Sequence, residues 1–331
     1  MGFRNYCRFR LVSLLSLVAL IAIWLRVCII PAKEQMTVVA TIRALGCKVR
    51  YDSETVDWSY LSTPMDTACK PFDGHFFHSV THVRLKACQN KKSNADEAAE
   101  SVARLHAIKV LNASRSGLTD EGVEKLRGMR SLVTLQINGN NGITDDSLAP
   151  ISSLVGLRQL NAARTGIVGT ELRQLSHLRQ LEYLDLSYSH LREQYAASIP
   201  DACPNLVTLR LRGLPIGDCS IAELRRLRFL KHLDLGETNV SDASLLALRA
   251  NPFLESILLD GTQLTEEASA ILVEMPQLRE VGLNRALTRL RSLRRLRQIP
   301  TLRTVVVSGG VNLIGDAHRV RSALPAIQIR K

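Results

Sequence analysis

Aliphatic residues, mostly leucine, recur along this chain in a six-residue frame, L-x-x-L-x-L. Between Ile108 and Leu302, successive copies of the frame start 24 or 25 residues apart without a break. The copies begin at Ile108, Leu132, Leu157, Leu181, Leu206, Leu230, Leu254, Leu278 and Leu302, with Val80 and Leu324 as irregular first and last copies. Alternating apolar positions in each frame predict a short strand, because successive strand residues point to opposite faces. Apolar residues at every third or fourth position later in each unit predict a short helix.

A strand and a helix within one such unit cannot bury both of their apolar faces alone, so the pattern predicts stacked units. Three loops also share a motif, T-x-I-T-D-x-x-L, at residues 116–123, 141–148 and 238–245. The frame and the motif resemble leucine-rich repeats over residues 80–331, and the chain is similar to bacterial-type, single-pass, membrane-anchored members of that family. The resemblance implies a right-handed α/β solenoid of about eleven repeats, with a concave parallel sheet and short convex helices after an N-terminal transmembrane helix.

The first thirty residues hold a basic stretch followed by an apolar one. Residues 1–10 contain three arginines and no acidic residue, and residues 11–25 carry no charge. About twenty apolar helical residues span a bilayer, and the flanking cations favour the cytosolic side. We therefore expect a cytoplasmic tail over 1–10, an uncleaved signal anchor over 11–30, and a repeat domain outside the cytosol at the cell membrane. A cleaved signal peptide and a cytosolic protein with a buried helix are the alternatives.

Residues 31–79 do not fit the frame, and we expect them to form an N-terminal cap and linker. The stretch 38–51 predicts a helix stopped by Gly46 and then a strand, which would cover the first open edge of the sheet. Cys47 and Cys69 are candidates for a disulfide within this cap, although their spacing does not determine the connectivity.

Small polar residues lie eight positions after the start of most frames. They are Ser116, Asn140, Thr165, Ser189, Thr238 and Thr262. We expect their side chains to accept hydrogen bonds from loop N–H groups where the chain leaves the sheet. The acidic loop residues Asp120, Asp145 and Asp242 are likewise explained by the repeat rather than by catalysis.

The alternation of the predicted strands places one set of polar side chains on the concave face. Asp185, Arg210 and Asp234 occupy equivalent positions on three neighbouring strands about 4.8 Å apart, so they should form a row of alternating charge. The candidate partner-binding patch comprises Tyr183, Asp185, Arg210, Arg212, His232 and Asp234, with Tyr183 as an amphipathic anchor. The alternative is a set of solvated cross-strand pairs that keep this face soluble.

The net charge of +12 is unevenly distributed, since residues 279–303 contain eight arginines and a single glutamate. A buried helix face is predicted from Leu287, Leu290, Leu293, Leu296 and Ile299. The arginines left on the convex surface are Arg289, Arg291, Arg294, Arg295 and Arg297. They are a candidate patch for an anionic polymer, an acidic protein or lipid headgroups, and a solvated helix face is the alternative. Because no aromatic residues interleave with them, we expect no nucleic-acid partner.

No motif in the chain indicates catalysis. The nucleophile elbow, the phosphate-binding loop and the dinucleotide fingerprint are absent from the sequence, so we assign no catalytic residue and no cofactor. His75, His78 and His82, with Cys69 and Cys88 nearby, lack the spacing of a zinc site, so no metal is assigned.

These observations together predict a non-enzymatic, membrane-anchored protein. Its exported array is expected to bind a protein or another extended ligand through the concave face. The alternatives are a cytosolic adaptor or regulator, and attachment to an anionic surface polymer through the arginine patch.

Overall fold

The computed structural model describes residues 22, 30–45, 47–51, 80–85, 94–307 and 315–330. Within these ranges, twelve strands form one sheet in which each strand lies beside its neighbours in the sequence. The strands are β1 (Lys48–Tyr51), β2 (Val80–Arg84), β3 (Val110–Asn112), β4 (Thr134–Gln136), β5 (Gln159–Asn161), β6 (Tyr183–Asp185), β7 (Thr208–Arg210), β8 (His232–Asp234), β9 (Ser256–Leu258), β10 (Glu280–Gly282), β11 (Thr304–Val306) and β12 (Gln328–Arg330). Strands β2 to β12 run parallel to one another, and β1 pairs with β2 in the antiparallel direction.

Residues at the same frame position lie opposite each other on adjacent parallel strands. Leu184, for example, is in register with Leu209, which is in register with Leu233. The buried row that results comprises Leu111, Leu135, Leu160, Leu184, Leu209, Leu233, Ile257, Val281 and Val305. The prediction of stacked units that share a parallel sheet is therefore confirmed.

Short helices return the chain from one strand to the next. The α-helices are α1 (Ile30–Ala44), α2 (Asn94–Ala103), α3 (Asp120–Lys125), α4 (Leu148–Ser152), α5 (Glu193–Ala196), α6 (Ile199–Ala202), α7 (Asp218–Glu223), α8 (Asp242–Leu248), α9 (Ala268–Val273), α10 (Leu290–Leu296) and α11 (Gly315–Ala323). Three further turns, at Asp145–Ser147, Leu172–His177 and Leu224–Arg226, are 3₁₀-helices. The apolar residues of strands and helices form one continuous core. The polar surface of the sheet, called the open face below, is the surface that the sequence predicts to be concave.

A helix and a strand precede the first parallel strand, in the order predicted for residues 38–51. Val39 and Ile42 of α1 are buried in the same core as the parallel strands, and β1 covers the free edge of β2. The predicted cytoplasmic tail and the predicted anchor lie outside the described residues, apart from residues 22 and 30. Among the helices that are described, none combines the length and the hydropathy that a membrane span requires.

At five junctions among the described residues, an aspartate near the start of a helix connects one strand-to-strand unit, called a coil below, to the next. Asp120 accepts hydrogen bonds from the backbone N–H and from the hydroxyl of Thr144, both at 2.8 Å. The same contact joins Asp96 to Thr119, Asp145 to Thr170, Asp218 to Ser241 and Asp242 to Thr265. Because the donors belong to the following coil, these aspartates hold neighbouring coils together.

The expected role of the small polar residues after the strands is wrong for most of them. The hydroxyls of Ser116, Thr165, Thr238 and Thr262 donate to the carbonyl three residues earlier, at 2.5 to 2.8 Å. Asn140 does accept, since its Oδ1 lies 3.0 Å from the N of Ser116 and 2.9 Å from the N of Gly117 in the preceding coil. Ser189 also accepts as predicted, because its hydroxyl oxygen lies 3.4 Å from the N of Leu191. The four hydroxyls that donate reach the nearest carbonyl of their own turn, whereas the longer amide of Asn140 spans two coils.

Candidate functional site

A cleft of about 300 Å³ opens on the open face. Its lining includes four of the six residues predicted for the partner-binding patch, namely Tyr183, Arg210, His232 and Asp234. Ser256, Glu280 and Arg330 also line it, from β9, β10 and β12. Asp185 and Arg212 lie outside this lining, so the structure brings together most of the predicted patch but not all of it.

Arg210 is an exposed cation within the cleft. It lies in register between Asp185 on β6 and Asp234 on β8, as the frame predicts. Its guanidinium carbon lies 5.6 Å from the centroid of the Tyr183 ring. Among the described residues, no carboxylate lies within ion-pair distance of this guanidinium, and the salt bridges nearby belong to Arg212. The charge of Arg210 is therefore available to a ligand.

Tyr183 forms a half-buried wall of the cleft beside Arg210. Its hydroxyl lies 3.4 Å from Oδ2 of Asp185. Burial, and after it the negative charge of Asp185, raise the pKa of the Tyr183 phenol, while the positive charge of Arg210 opposes that rise. Tyr183 thus offers an apolar ring with a neutral hydroxyl at its tip, which suits an anchor for a protein ligand.

Asp185 and Asp234 occupy the predicted row beside Arg210, and both are largely buried. Oδ1 of Asp185 accepts a hydrogen bond from the N–H of Ser187, and Oδ1 of Asp234 accepts one from the N–H of Gly236, both at 3.0 Å. Each aspartate ends a three-residue strand, where the turn that follows offers a free N–H two residues later. Burial raises the pKa of Asp234, although the Gly236 N–H and Arg212 oppose that rise.

Arg212 is a structural residue rather than part of the cleft. The strand ends at Arg210, so the alternation that predicted Arg212 to face outward no longer applies two residues later. Its guanidinium lies against Gly236 and binds Asp260 at 2.7 Å, Glu237 at 3.0 Å and Asp234 at 3.3 Å. The hydrogen bond that Arg212 donates to Asp260 is the main cause that raises the pKa of Arg212, which therefore stays charged.

An ion pair lies on the far wall of the cleft. Glu280 accepts hydrogen bonds from the Ser256 hydroxyl and from Nη1 of Arg330, each at 2.8 Å. His232 lies between this pair and Tyr183 in the sheet order and is exposed. The cleft thus presents a free cation on one side, an imidazole in the middle and a neutralised pair on the other.

The predicted arginine patch is partly neutralised by the preceding coil. Arg289 forms an ion pair with Glu266, while Arg291 and Arg295 bind Glu267 at 3.6 and 2.9 Å. The remaining two arginines, Arg294 and Arg297, are exposed and have no ion pair among the described residues. This arrangement leaves two of the five side chains with an uncompensated charge.

The predicted buried face of α10 is wrong at one position, because Leu290 is 48% exposed. Leu293 and Leu296 are buried as expected, and Ser292 is buried beside them. A spacing of three residues turns a helix by about 300°, so leucines at 290, 293 and 296 cannot all lie on one narrow face.

A second groove, of about 550 Å³, lies at the edge of the sheet where the parallel strands begin, and is called the edge groove below. Phe229 and Phe253 line it from neighbouring coils and are 54% and 53% exposed. Val207 and Lys231 line it beside them. The frame gives no reason to expect a site here. Both phenylalanines, however, directly precede the first leucine of a copy of the L-x-x-L-x-L frame. The repetition of an aromatic residue at that position is the sequence signal from which this groove could have been predicted.

Metal-ligating side chains do not converge within the part of the chain that the structure describes, where no group of three or more His, Cys, Asp or Glu side chains could hold an ion. Of the histidines and cysteines that the sequence analysis tested as zinc ligands, only His82 is described. His75, His78, Cys69 and Cys88 lie outside the described residues. The pairing considered for Cys47 with Cys69 is outside them for the same reason.

Two segments of the chain, residues 128–152 and 226–248, match the family model described as Leucine Rich repeat. Both segments run from the end of one coil into the strand and helix of the next. They are leucine-rich repeats, and the remaining coils share their frame. Among curated proteins, none matches the sequence of this chain.

Two of the solved structures that are similar to this chain are a plant receptor and a bacterial internalin. The plant peptide hormone receptor RGFR1 in complex with RGF2 matches at 15% identity with a TM-score of 0.41, over 70% of this chain and 36% of that chain. An internalin (inlF) from Listeria monocytogenes matches at 16% identity with a TM-score of 0.39, over 76% of this chain and 86% of that chain. This chain therefore spans little more than a third of the receptor chain that it matches.

Proposed function

We propose that this chain is a non-enzymatic binding protein that holds a segment of a protein partner in the cleft around Arg210. The observation that carries the proposal is the free guanidinium of Arg210 beside the ring of Tyr183. A guanidinium binds carboxylates with two parallel hydrogen bonds, and an aromatic wall adds apolar contact next to it. The partner segment is therefore one that places an acidic group, or a chain-terminal carboxylate, beside an apolar side chain.

The environment of Arg210 favours this role over that of a solvated surface charge. The acids that flank Arg210 in register, Asp185 and Asp234, are already bound to their own backbone. They keep the neighbourhood from becoming strongly cationic without occupying the guanidinium. Because the strands fix the spacing of these side chains, little conformational entropy is lost when a partner binds.

The same proposal places the array outside the cytosol, tethered at the cell membrane through residues 11–30. Its support is the uncharged apolar stretch at 11–25 after three arginines. A cytosolic adaptor is the competing function. A reporter enzyme that is active only in the cytosol, fused after Lys331, separates the two. We expect no reporter activity, and cytosolic activity would contradict the export.

Attachment to an anionic polymer receives less support than the cleft. Three of the five arginines on and beside α10 are paired with Glu266 and Glu267. The charge of these three arginines is therefore largely neutralised by ion pairs within the molecule. No specific observation favours attachment to a polymer over binding at the cleft.

The binding proposal is tested by placing a photoreactive amino acid at position 232, inside the cleft, in the full chain expressed in intact cells. The matched control carries the same group at position 124, an exposed site on α3. We expect an adduct with a specific partner from position 232 and none with that partner from position 124. Equal adducts from both positions would mean that the cleft is not where the partner binds.

A further inference from the structure

The edge groove belongs to a longer row of residues along the edge where the parallel strands begin. The row, called the edge row below, runs from Lys109 to Arg303 through the residue that directly follows the first apolar residue of each frame copy. Each backbone N–H in it bonds to the carbonyl of the equivalent residue one coil earlier, at 2.7 to 2.9 Å. The cations of the edge row are Lys109, Arg158, Lys231, Arg279 and Arg303. Its anions are Glu182 and Glu255, so the row is net positive.

The turns that lead into the strands add further positive charge to this edge. Arg130, Arg179 and Arg228 each lie three residues before a member of the edge row, and all three are exposed. The equivalent position is not acidic in any coil between Lys109 and Arg303. The turns therefore add cations to the edge without adding anions.

The two anions of the edge row are already paired with cations of the same row. Glu182 lies 2.9 Å from Arg158, and Glu255 lies 3.5 Å from both Lys231 and Arg279. Five cations of this edge are exposed and form no ion pair within the described part of the chain: Lys109, Arg130, Arg179, Arg228 and Arg303. The edge therefore presents uncompensated positive charge along its length and attracts an anionic surface.

Exposed apolar side chains lie among these cations. Phe229 and Phe253 each lie two residues before a member of the edge row, and Val155 lies three residues before another. All three side chains are about half exposed. Apolar side chains surrounded by cations suit a membrane surface, because the apolar groups enter the boundary of the acyl chains while the cations bind anionic headgroups.

The start of α1 lies at this same edge. Oε1 of Gln35, in the second turn of α1, lies 3.5 Å from the N of Val80, the first residue of β2. The end of α1 leads into β1, whose first residue, Lys48, pairs with Arg84 at the end of β2. The helix therefore runs away from the edge where the parallel strands begin. Its first turn points back toward that edge.

We propose that the edge row and the edge groove form a docking surface for an anionic phospholipid membrane, into which Phe229 and Phe253 insert. The inference rests on the membrane tether of the proposed function, because the apolar stretch at 11–25 precedes α1 and brings the membrane to this edge. An acidic protein would meet the same cations, but the chain itself places only the membrane here. The strands then run away from the membrane, and the Arg210 cleft on the open face stays accessible to a partner.

Quenching of a fluorescent aromatic amino acid at position 253 tests the docking in the full chain reconstituted into vesicles. The vesicles contain phosphatidylcholine, with or without phosphatidylglycerol, and part of the lipid carries a nitroxide quencher near the top of its acyl chains. The control site is position 263, an exposed residue in the loop after β9 at the opposite edge of the sheet. We expect quenching at 253 that requires phosphatidylglycerol and weakens as salt is added, and none at 263.

Variants of the charged and apolar side chains test which groups dock. Arg179→Gln with Arg228→Gln removes two unpaired cations, each worth roughly a fivefold change near an anionic surface, so the ratio of docked to free chains should fall roughly tenfold or more. The matched control is Arg294→Gln with Arg297→Gln, which removes the same charge from the convex surface and leaves the quenching unchanged.

The apolar contribution has a matched pair of its own. Phe229→Ser should weaken the quenching at 253, because the ring no longer enters the membrane. Leu246→Ser removes an equally exposed apolar side chain from α8 and should have no effect.

Alkaline extraction of the same vesicles reports the tether separately from the docking. A chain that resists extraction but shows no quenching at 253 keeps its tether and does not dock, and its cationic edge then suits an acidic protein instead. Wild-type quenching in the Arg179 and Arg228 double variant, or its loss in the convex control, would also overturn the docking. A chain that alkali removes from the vesicles would contradict both the tether and the inference that rests on it.

Discussion

Arg212 binds Asp260 across two coils, passing over Asp234 of the coil between them. Nη1 of Arg212 lies 2.7 Å from Oδ2 of Asp260, and its Nε lies 3.3 Å from Oδ2 of Asp234. Asp260 is 1% exposed, and among the described residues its carboxylate has no other donor. A buried carboxylate requires a charged or hydrogen-bonding partner. The pair therefore ties three consecutive coils together beside the candidate cleft.

Replacing Arg212 by alanine should destabilise the array strongly. The change leaves Asp260 buried and unpaired, and the loss of one partner of a buried ion pair costs about 3 kcal/mol or more. Urea denaturation of the variant checks this as a lower midpoint. The control is Arg127→Ala, because Arg127 and Glu124 form an exposed pair and should leave the midpoint almost unchanged. Equal midpoints for both variants would show that the Arg212 cluster does not hold the coils together.

The second prediction concerns Gly213, which has a φ of +69° and lies against the ring of Tyr188. A Cβ at this position would overlap with that ring, so Gly213→Ala adds a steric cost to the backbone strain. Gly128 has a φ of +80° with open space around it, and Gly128→Ala reports the strain alone. We expect Gly213→Ala to lower the free energy of unfolding by roughly 1–3 kcal/mol more than Gly128→Ala.

The steric part of that difference should disappear when the ring is removed. In a double-mutant cycle, Tyr188→Ala with Gly213→Ala should therefore be less destabilised than the sum of the two single changes. Additive free energies of unfolding, or equal costs at the two glycines, would contradict the close approach of the Tyr188 ring.

The third prediction is a pH dependence at Asp218. Burial acts to raise the pKa of this carboxyl, but hydrogen bonds from Ser241 and Ser244 outweigh it, and the pKa lies below its ordinary value. An acid with a lowered pKa stabilises the fold above its unfolded-state pKa of about 3.9 and loses that contribution as the pH falls through the folded-state value. The wild type should therefore melt higher than Asp218→Asn at pH 7, with a gap that narrows as the pH drops below about 4. A gap that is constant down to pH 3 would contradict the assignment.

The fourth prediction tests the contact between Arg210 and Tyr183. The positive charge of Arg210 holds the pKa of the Tyr183 phenol down against burial and the charge of Asp185. Arg210→Gln should therefore raise that pKa further. Titration of tyrosine labelled with ¹³C at Cζ measures the shift directly. Arg127→Gln, which removes a charge in the turn after α3, should leave the pKa of Tyr183 unchanged. An unchanged or lowered pKa of Tyr183 in the Arg210→Gln variant would mean that the side chains of Arg210 and Tyr183 are not in contact.

The positions of the strands could be predicted because one frame repeats at nearly constant spacing. Once Leu184, Leu209 and Leu233 occupy the same frame position, stacking sets their register, and with it the register of Asp185, Arg210 and Asp234. That part of the site follows from periodicity alone. Predicting this register requires no knowledge of the contacts between individual side chains.

Periodicity does not predict which side chains form hydrogen bonds with the turns at the ends of three-residue strands. Asp185 and Asp234 are close enough to the turn to be captured by its N–H groups, whereas Arg210, at the same frame position, carries only donors and stays free. Arg212 lies beyond the strand, and its partner Asp260 is 48 residues away. A contact between different coils leaves no local signal in the sequence.

An affinity measurement with the partner captured at position 232 tests whether the Arg210 cleft holds a protein partner. The variant combines Arg210→Glu with Tyr183→Ala, and its midpoint of urea denaturation is measured alongside to exclude unfolding. We expect it to bind the captured partner at least about a hundredfold more weakly than the wild type does, since a repelled carboxylate and a lost aromatic anchor each cost about 1.4 kcal/mol or more. Undiminished affinity in a folded variant would show that the partner binds elsewhere on the molecule.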